Sequence, residues 1–551
     1  MQVSGSELIG AKEAWTRPGA LEIYGAPEGA DAMAIAEAAS IRAAAVLFIA
    51  RDGARAAATA EALRFFAPSM PVVEYPAWDC LPYDRVSPSP AISSARMAAL
   101  SLLVSHDGRS PLIVVATVNA ATQKTPPKEM IAASRLAAAP GDVVSMDKIS
   151  AYLAANGYAR ASAVREAGEF AVRGGLIDIF PPGAEEPIRL DFFGDQLESV
   201  RSFDAASQRT TRALTQIDLA AASEILLNDE SAARFRRNWI AELGPAGDDP
   251  IYASASAGRK QAGMEHWLPL FYDRVDTLFD FMPDGLVILD HQAEEAAAAR
   301  FASIKDYFEA RAESAVERRP KSAEFSAPAY RPLKAERLYF GESDWAERLG
   351  GQDRRLLTPF APPEGRRAYS FGAKVGRGFA AERAAERSNV FDAVVAHARA
   401  LGADGKRVFA ACWTEGSADR LRSVLNDHGV TAGHFTDWTS ARAGKSSGID
   451  TILLGLETGF VAGKAAFISE QDILGDRLVR RGRRKRAENF LTEAGALSIG
   501  DLIVHVDHGV GRYLGLKALE VQGAPHDCIE LEYAGGDKLF LPVENIELLS
   551  R

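Results

Sequence analysis

The stretch LEIYGAPEGADA (Leu21–Ala32) decides how the first part of the chain folds. Leu21–Tyr24 reads as a short apolar strand, a glycine-containing turn follows, and an alanine-rich helix begins near Asp31. Strand, turn and helix in this order are the setting of a phosphate-binding loop, G-x-x-x-x-G-K-[ST]. Gly25 is in place, but the closing positions are Ala30, Asp31 and Ala32. Aspartate stands where a lysine would meet the β- and γ-phosphates, and a methyl stands where a hydroxyl would meet magnesium. The architecture fits a nucleotide site and the chemistry does not; an ordinary strand–helix turn fits the same residues.

Working outward, Ala45–Ile49 reads as a second strand, Ala54–Phe66 as a helix and Leu112–Ala116 as a third strand. Continuous apolar runs of this kind belong to a parallel sheet covered on both faces. The style returns at GLVILD (Gly285–Asp290). In helicase-type NTPases such a strand ends in Asp-Glu, for magnesium and for activation of water. Here Asp290 is present and His291 replaces the glutamate, a second lesion in the same candidate site. Gly444-Lys445-Ser446 resembles the end of a phosphate loop, but Thr439 occupies the required glycine position and no buried strand precedes it.

Between these α/β segments the pattern changes. EFAVR, LIDIF, IRLDFF and LESVRSF alternate between Glu169 and Phe203, punctuated by GG, PPG and GDQ, as in a β-meander. The stretch 311–365 is rich in charge, proline and alanine and reads as a linker. A small α/β unit follows, with strands at Arg407–Cys412, Asp450–Leu454 and Ala465–Ser469. The basic run RLVRRGRRKR (Arg477–Arg486) comes next, and from about Ser498 the chain becomes short strands with tight turns, the pattern of a small, strongly bent β-barrel.

The chain has 551 residues, a net charge of −11 and three cysteines, Cys80, Cys412 and Cys528, without CxxC spacing. The acidic balance argues against a protein that coats nucleic acid over its whole surface, and the cysteines against a disulfide framework. No signal peptide and no membrane span are evident, so a cytoplasmic location is expected. The basic run is first a solvated linker, with DNA phosphate contact as the lesser reading. A metal at His505, His508, His526 and Cys528 is outweighed by their strand and turn positions.

Two stretches offer binding faces. Side chains alternate across a strand, so Arg189, Asp191 and Phe193 share a face opposite Ile188, Leu190 and Phe192, and Arg173 faces outward from its own strand. Arginine beside an exposed aromatic is the usual composition of a protein-binding hot spot. Local pairing of the arginines and burial of Phe193 are the competing reading. In Leu514–Val521 both faces carry apolar residues, which calls for a bulge or an exposed edge open to another protein's strand.

YPAWDCLPYDRVSPSPAISSAR (Tyr75–Arg96), GEFAVRGGLIDIFPPG (Gly168–Gly183), PIRLDFFGDQLESVRSFDAASQRT (Pro187–Thr210), GMEHWLPLF (Gly263–Phe271), SEQDILGDR (Ser469–Arg477) and the block from GDLIVHVDHGVGRYLGL to the end resemble bacterial transcription-repair coupling factors over nearly the whole chain. The resemblance implies a multidomain α/β protein. Residues 1–135 and 222–340 would form a degenerate, RecA-like helicase domain similar to UvrB, interrupted at 136–221 by a UvrA-binding domain. A linker at 341–365, a small α/β domain at 366–475, a basic linker at 476–496 and an SH3/Tudor-like barrel at 497–551, similar to that of CarD-type regulators, would follow. It further implies UvrA contact at Arg173, Arg189 and Phe193, and contact with the RNA polymerase β subunit at Leu519. Gly25, Ala30, Asp31, Ala32, Asp290 and His291 would form a non-functional nucleotide site. The family continues into motor lobes that bind ATP and magnesium. This chain stops after the barrel, so it reads as an N-terminal portion: an adaptor without catalytic residues, metal or cofactor. The rivals are a UvrB-type helicase subunit and a CarD-type transcription regulator.

Overall fold

The computed structural model describes residues 10–317, 330–363, 367–385, 389–444, 448–475, 500–505, 508–521, 524–534, 536–542 and 549–550. The chain divides into two compact units, Met1–Ile473 and Leu474–Arg551.

The first unit is built on a seven-stranded parallel sheet. Its strands run in the order Ala368–Ser370, Ala20–Tyr24, Arg354–Thr358, Leu286–Leu289, Ala45–Ala50, Leu112–Thr117 and Val72–Tyr75. Every residue of Ala45–Ala50 and Leu112–Thr117 is buried. Val46, Phe48, Ile113 and Val115 join a core with the helices Ala30–Arg42 and Gly53–Phe66, whereas Leu47, Ile49 and Val114 join another with the helix Pro90–Ser105. Strand alternation thus sends one unbroken apolar run into two cores. The helix starts are encoded locally: Asp52 accepts from the Arg55 N–H at 2.8 Å, and Ser89 caps a helix whose first residue is Pro90.

The expected linker at 341–365 is corrected. It contains the helix Glu342–Gly350 and the strand Arg354–Thr358, which lies in the interior of the sheet between Ala20–Tyr24 and Leu286–Leu289. Arg355 hid this strand from a hydropathy reading. It is fully buried, and its guanidinium donates to the carbonyls of Ala14, Arg17 and Gly19 at 2.5–2.8 Å. A buried arginine supplied with backbone acceptors stands where an apolar residue is usual.

The β-rich insertion enters and leaves through an antiparallel pair, Leu136–Ala138 with Ile217–Leu219. Its six-stranded sheet runs Thr210–Leu214, Gln196–Phe203, Ile188–Phe193, Leu176–Ile179, Glu169–Arg173 and Ala159–Arg160. The helix Met146–Ala155 supplies Ile149 and Leu153 to the core on one face. The insertion sits closely on the helix Pro90–Ser105: a Cβ on Gly183 would fall 2.7 Å from that of Ala98. At its exit, fully buried Arg96 donates to both carboxylate oxygens of Glu224 at 2.9–3.0 Å, and the Trp78 indole donates to the same carboxylate at 2.6 Å.

The small α/β domain carries a six-stranded sheet ordered Lys374–Val375, Phe460–Ala462, Ala465–Ser469, Arg407–Cys412, Ile449–Leu453 and His434–Phe435. It is not separate from the first sheet. Phe65 and Phe66 share a core with Phe409, Phe460 and Phe467, with Trp438 packed against it, and the Phe66 and Trp438 rings lie 5.6 Å apart, edge to face.

The second unit is an antiparallel sheet ordered Lys538–Pro542, Ala524–Glu532, Gly509–Val521, Leu502–His505 and Leu549–Ser550. Among the described residues this ladder is open; the expected closure into an SH3/Tudor-like barrel is not among its pairings. The register shifts between Tyr513 and Gly515, the site of a bulge. No described helix is long and apolar enough to cross a membrane.

Candidate functional site

Three places were singled out by the sequence. The first is the turn after Ala20–Tyr24. Asp31 lies in the first turn of its helix, is 3 % exposed, and accepts from the backbone N–H groups of Gly29 and Ala32 at 3.0 and 2.7 Å. Its other carboxylate oxygen pairs with Arg55. Arg55, itself buried, reaches Asp290 with Nε at 3.4 Å. Arg51 bridges Asp290 at 3.4 Å and Glu28 at 2.8 Å, and its backbone N–H donates to Asp290 at 3.1 Å. The two aspartates at the lysine and magnesium positions therefore meet across the chain's own guanidinium. Burial pushes the Asp290 carboxyl up from the usual range, while Arg55 and Arg51 pull it back down.

The turn is also covered. A Cβ on Gly29, at φ +91°, would meet Leu456 and Phe460 of the small α/β domain at 2.9 Å. Gly25, at φ +66°, lies under the chain after Ala368–Ser370: its carbonyl accepts from Ala373 at 2.9 Å, and that of Tyr24 from Phe371 at 2.9 Å. His291, where the motif has glutamate, stands edge-on to Phe360 at 5.4 Å. Ala30 and Ala32 are fully buried. A phosphate entering here would meet a buried carboxylate already paired with an arginine, so the residues present do not fit a nucleotide. Arg51, Arg55 and Glu28 escaped the sequence reading because position along the chain does not say which carboxylate an arginine will find.

The second place is the outer face of the insertion sheet. Ala171 pairs with Asp178 and Asp178 with Arg189; one pleat further along, Arg173 pairs with Leu176 and Leu176 with Asp191. Residues two apart share a face, so Arg173 and Arg189 lie on the same one. Phe192 is buried on the other side and Phe193, at the hairpin, is 76 % exposed. Between Asp191 and Phe192 the register shifts. Arg173 is exposed, and Arg201 on the next strand holds Asp191 at 3.4 Å and the Ser199 hydroxyl at 2.9 Å. Arg189 is half-buried and pairs with Asp178. Both readings weighed from the sequence are partly realised: Phe193 is outward, and Arg189 is locally paired.

The third place is Leu519, which pairs with His526 in the terminal sheet; the side chains of both lie outside the described residues. Gly515–Val521 pairs with Ala524–Glu530 on one side, and among the described ladders nothing pairs on its other. No metal-binding group of His, Cys, Asp or Glu occurs among the described residues. Lys445, Ser446 and Arg477–Arg486 lie outside them.

Two family models match these regions: a UvrB interaction domain over residues 136–225, and a CarD-like/TRCF RID domain over residues 497–551. The chain thus carries both a UvrB-type interaction module and a CarD-like one. Along most of its length it is similar to the bacterial transcription-repair-coupling factors. It is 31 % identical to that of Escherichia coli over 526 residues, covering 94 % of this chain and 44 % of the relative. It is 30 % identical to that of Rickettsia bellii, covering 88 % and 42 %, and 33 % identical to that of Myxococcus xanthus, covering 87 % and 40 %. The chain spans about two fifths of the length of these relatives.

Proposed function

We propose that this chain is the partner-gripping portion of a transcription-repair coupling factor. The insertion recruits UvrA through Arg173, Arg189 and Phe193, and the terminal sheet holds the β subunit of RNA polymerase around Leu519. The observation that carries the reading is Phe193, a large aromatic left 76 % exposed at the end of the strand that carries Arg189, in the module that matches a UvrB interaction domain. Aromatic and arginine side chains dominate binding energy where they become desolvated together. The side of Gly515–Val521 that pairs with no strand among the described residues supports polymerase docking by strand addition.

The scaffold hydrolyses no ATP in this reading, because its nucleotide position is filled by internal ion pairs. Work on the polymerase with ATP and magnesium belongs to motor lobes of the longer relatives, and Arg477–Arg486 contacts DNA phosphates in the same scheme. The protein acts in the cytoplasm.

Pull-down with purified UvrA and polymerase, joined to an ATPase assay with and without DNA, tests the whole reading. Arg173→Ala, Arg189→Ala and Phe193→Ala should each weaken UvrA binding by about 1–2 kcal/mol, and Leu519→Arg should abolish polymerase capture while sparing UvrA. Unchanged UvrA affinity in all three alanine variants, or hydrolysis lost on Asp290→Ala, would sink it.

A further inference from the structure

Of the proposed UvrA contacts, Arg189 is the one whose guanidinium is held in place. Its Nε donates to Asp178 Oδ1 at 2.7 Å and its Nη2 to Oδ2 at 2.9 Å, a two-point grip that fixes the plane of the group. The same group lies over the ring of fully buried Phe203, 4.7 Å from its centroid. Asp178 is 3 % exposed, on a strand paired on both sides. A guanidinium carries five N–H donors. The grip uses two, so three remain for a partner on a side chain that keeps 21 % exposure.

We propose that Asp178, with Phe203 beneath the guanidinium, is a positioning residue of the UvrA-binding face: it presents Arg189 in its binding orientation before the partner arrives. This rests on the reading of the insertion as the UvrA-binding unit. The physical reason is entropic. Arginine is rich in rotamers, and immobilising such a side chain at an interface costs affinity unless it is already immobile. The sign of the effect separates positioning from simple charge. Asp178 lowers the net positive charge of the face, so if charge alone mattered, removing it would tighten binding to an anionic partner. If positioning matters, removal weakens binding.

The experiment titrates purified UvrA against this chain by calorimetry at two salt concentrations. Asp178→Asn should weaken binding about three- to tenfold. Arg189→Lys, which keeps the charge but cannot make the two-point grip, should weaken it by a similar factor, and Phe203→Leu by less. Asp178→Asn added to Arg189→Ala should cost nothing more, because the aspartate acts through the arginine. Arg189→Lys changes a partly exposed side chain, so it reports even where Asp178→Asn lowers the melting temperature. Wild-type affinity in Arg189→Lys, tighter binding in Asp178→Asn, or additive losses in the double variant would each overturn the proposal. An unaffected Arg189→Ala would remove the UvrA reading of this residue, and the positioning role with it.

Discussion

Arg55 is the charge that holds the buried turn after Ala20–Tyr24 to Asp290. It lies between Asp31 and Asp290, two carboxylates that are almost wholly buried. Taking away one partner of a buried ion pair leaves charge without compensation and typically costs about 3–5 kcal/mol. Arg55→Ala should therefore lose stability of that order at pH 7, read by urea unfolding. The loss should depend on pH with a definite sign. Burial already raises the Asp290 carboxyl, and Arg55 is the largest influence lowering it. Without Arg55 the folded value rises further above the unfolded one, so the native state holds a proton that the unfolded chain has released. Stability then falls as pH rises through that window. The deficit of the variant should be greatest at neutral pH and should shrink towards the ordinary carboxylate value of about 3.9. A deficit that grows on acidification would refute this account.

His266 is buried on the same unit, edge-on to Trp78 at 5.6 Å, and burial holds it down at about 4. A depressed histidine stabilises the fold above its unfolded value of about 6.5 and loses that contribution as pH falls towards 4. Between pH 7 and pH 5 the loss should be about 2 kcal/mol. Replacing His266 with glutamine should flatten that part of the stability profile, whatever it does to the absolute value.

The turn Gly25–Gly29 shows what an element gains from its surroundings. Its glycines match the strand–turn–helix pattern, yet the space beside Gly29 is taken by Leu456 and Phe460 rather than by a ligand. Gly29→Ala would place a Cβ 2.9 Å from both, at a φ of +91° that L-residues avoid. A loss of about 2–4 kcal/mol is expected in thermal or urea unfolding. A neutral substitution would mean that the small α/β domain does not press on this turn. The strands Arg354–Thr358 and Leu286–Leu289 make a second comparison at this scale. They are neighbours in one sheet, but only the uninterrupted apolar run LVIL could be read from sequence. RRLLT could not, because its buried Arg355 is satisfied by carbonyls from Ala14 to Gly19.

Over the whole molecule, the first unit behaves as two α/β sheets with one core in common. Trp438 touches the rings of Phe65, Phe66, Phe409 and Phe467 at 5.5–6.3 Å, so it joins helix Gly53–Phe66 to the second sheet. Trp438→Ala should cost about 3–5 kcal/mol and lower one shared unfolding transition for residues 1–473. Two separate transitions, with only one displaced, would show that the sheets unfold independently. By itself the sequence determined the α/β strands made of continuous apolar residues, the inserted meander, and the lesions at Ala30–Ala32 and His291. Each of these follows from local alternation or from the chemistry of a single position. Only the tertiary structure decided that Arg355 belongs to a central strand, that Arg51 and Arg55 pair with Asp290, and that Asp178 grips Arg189. Those facts depend on charges brought together from distant parts of the chain, and a buried charge takes its meaning from the partner it meets.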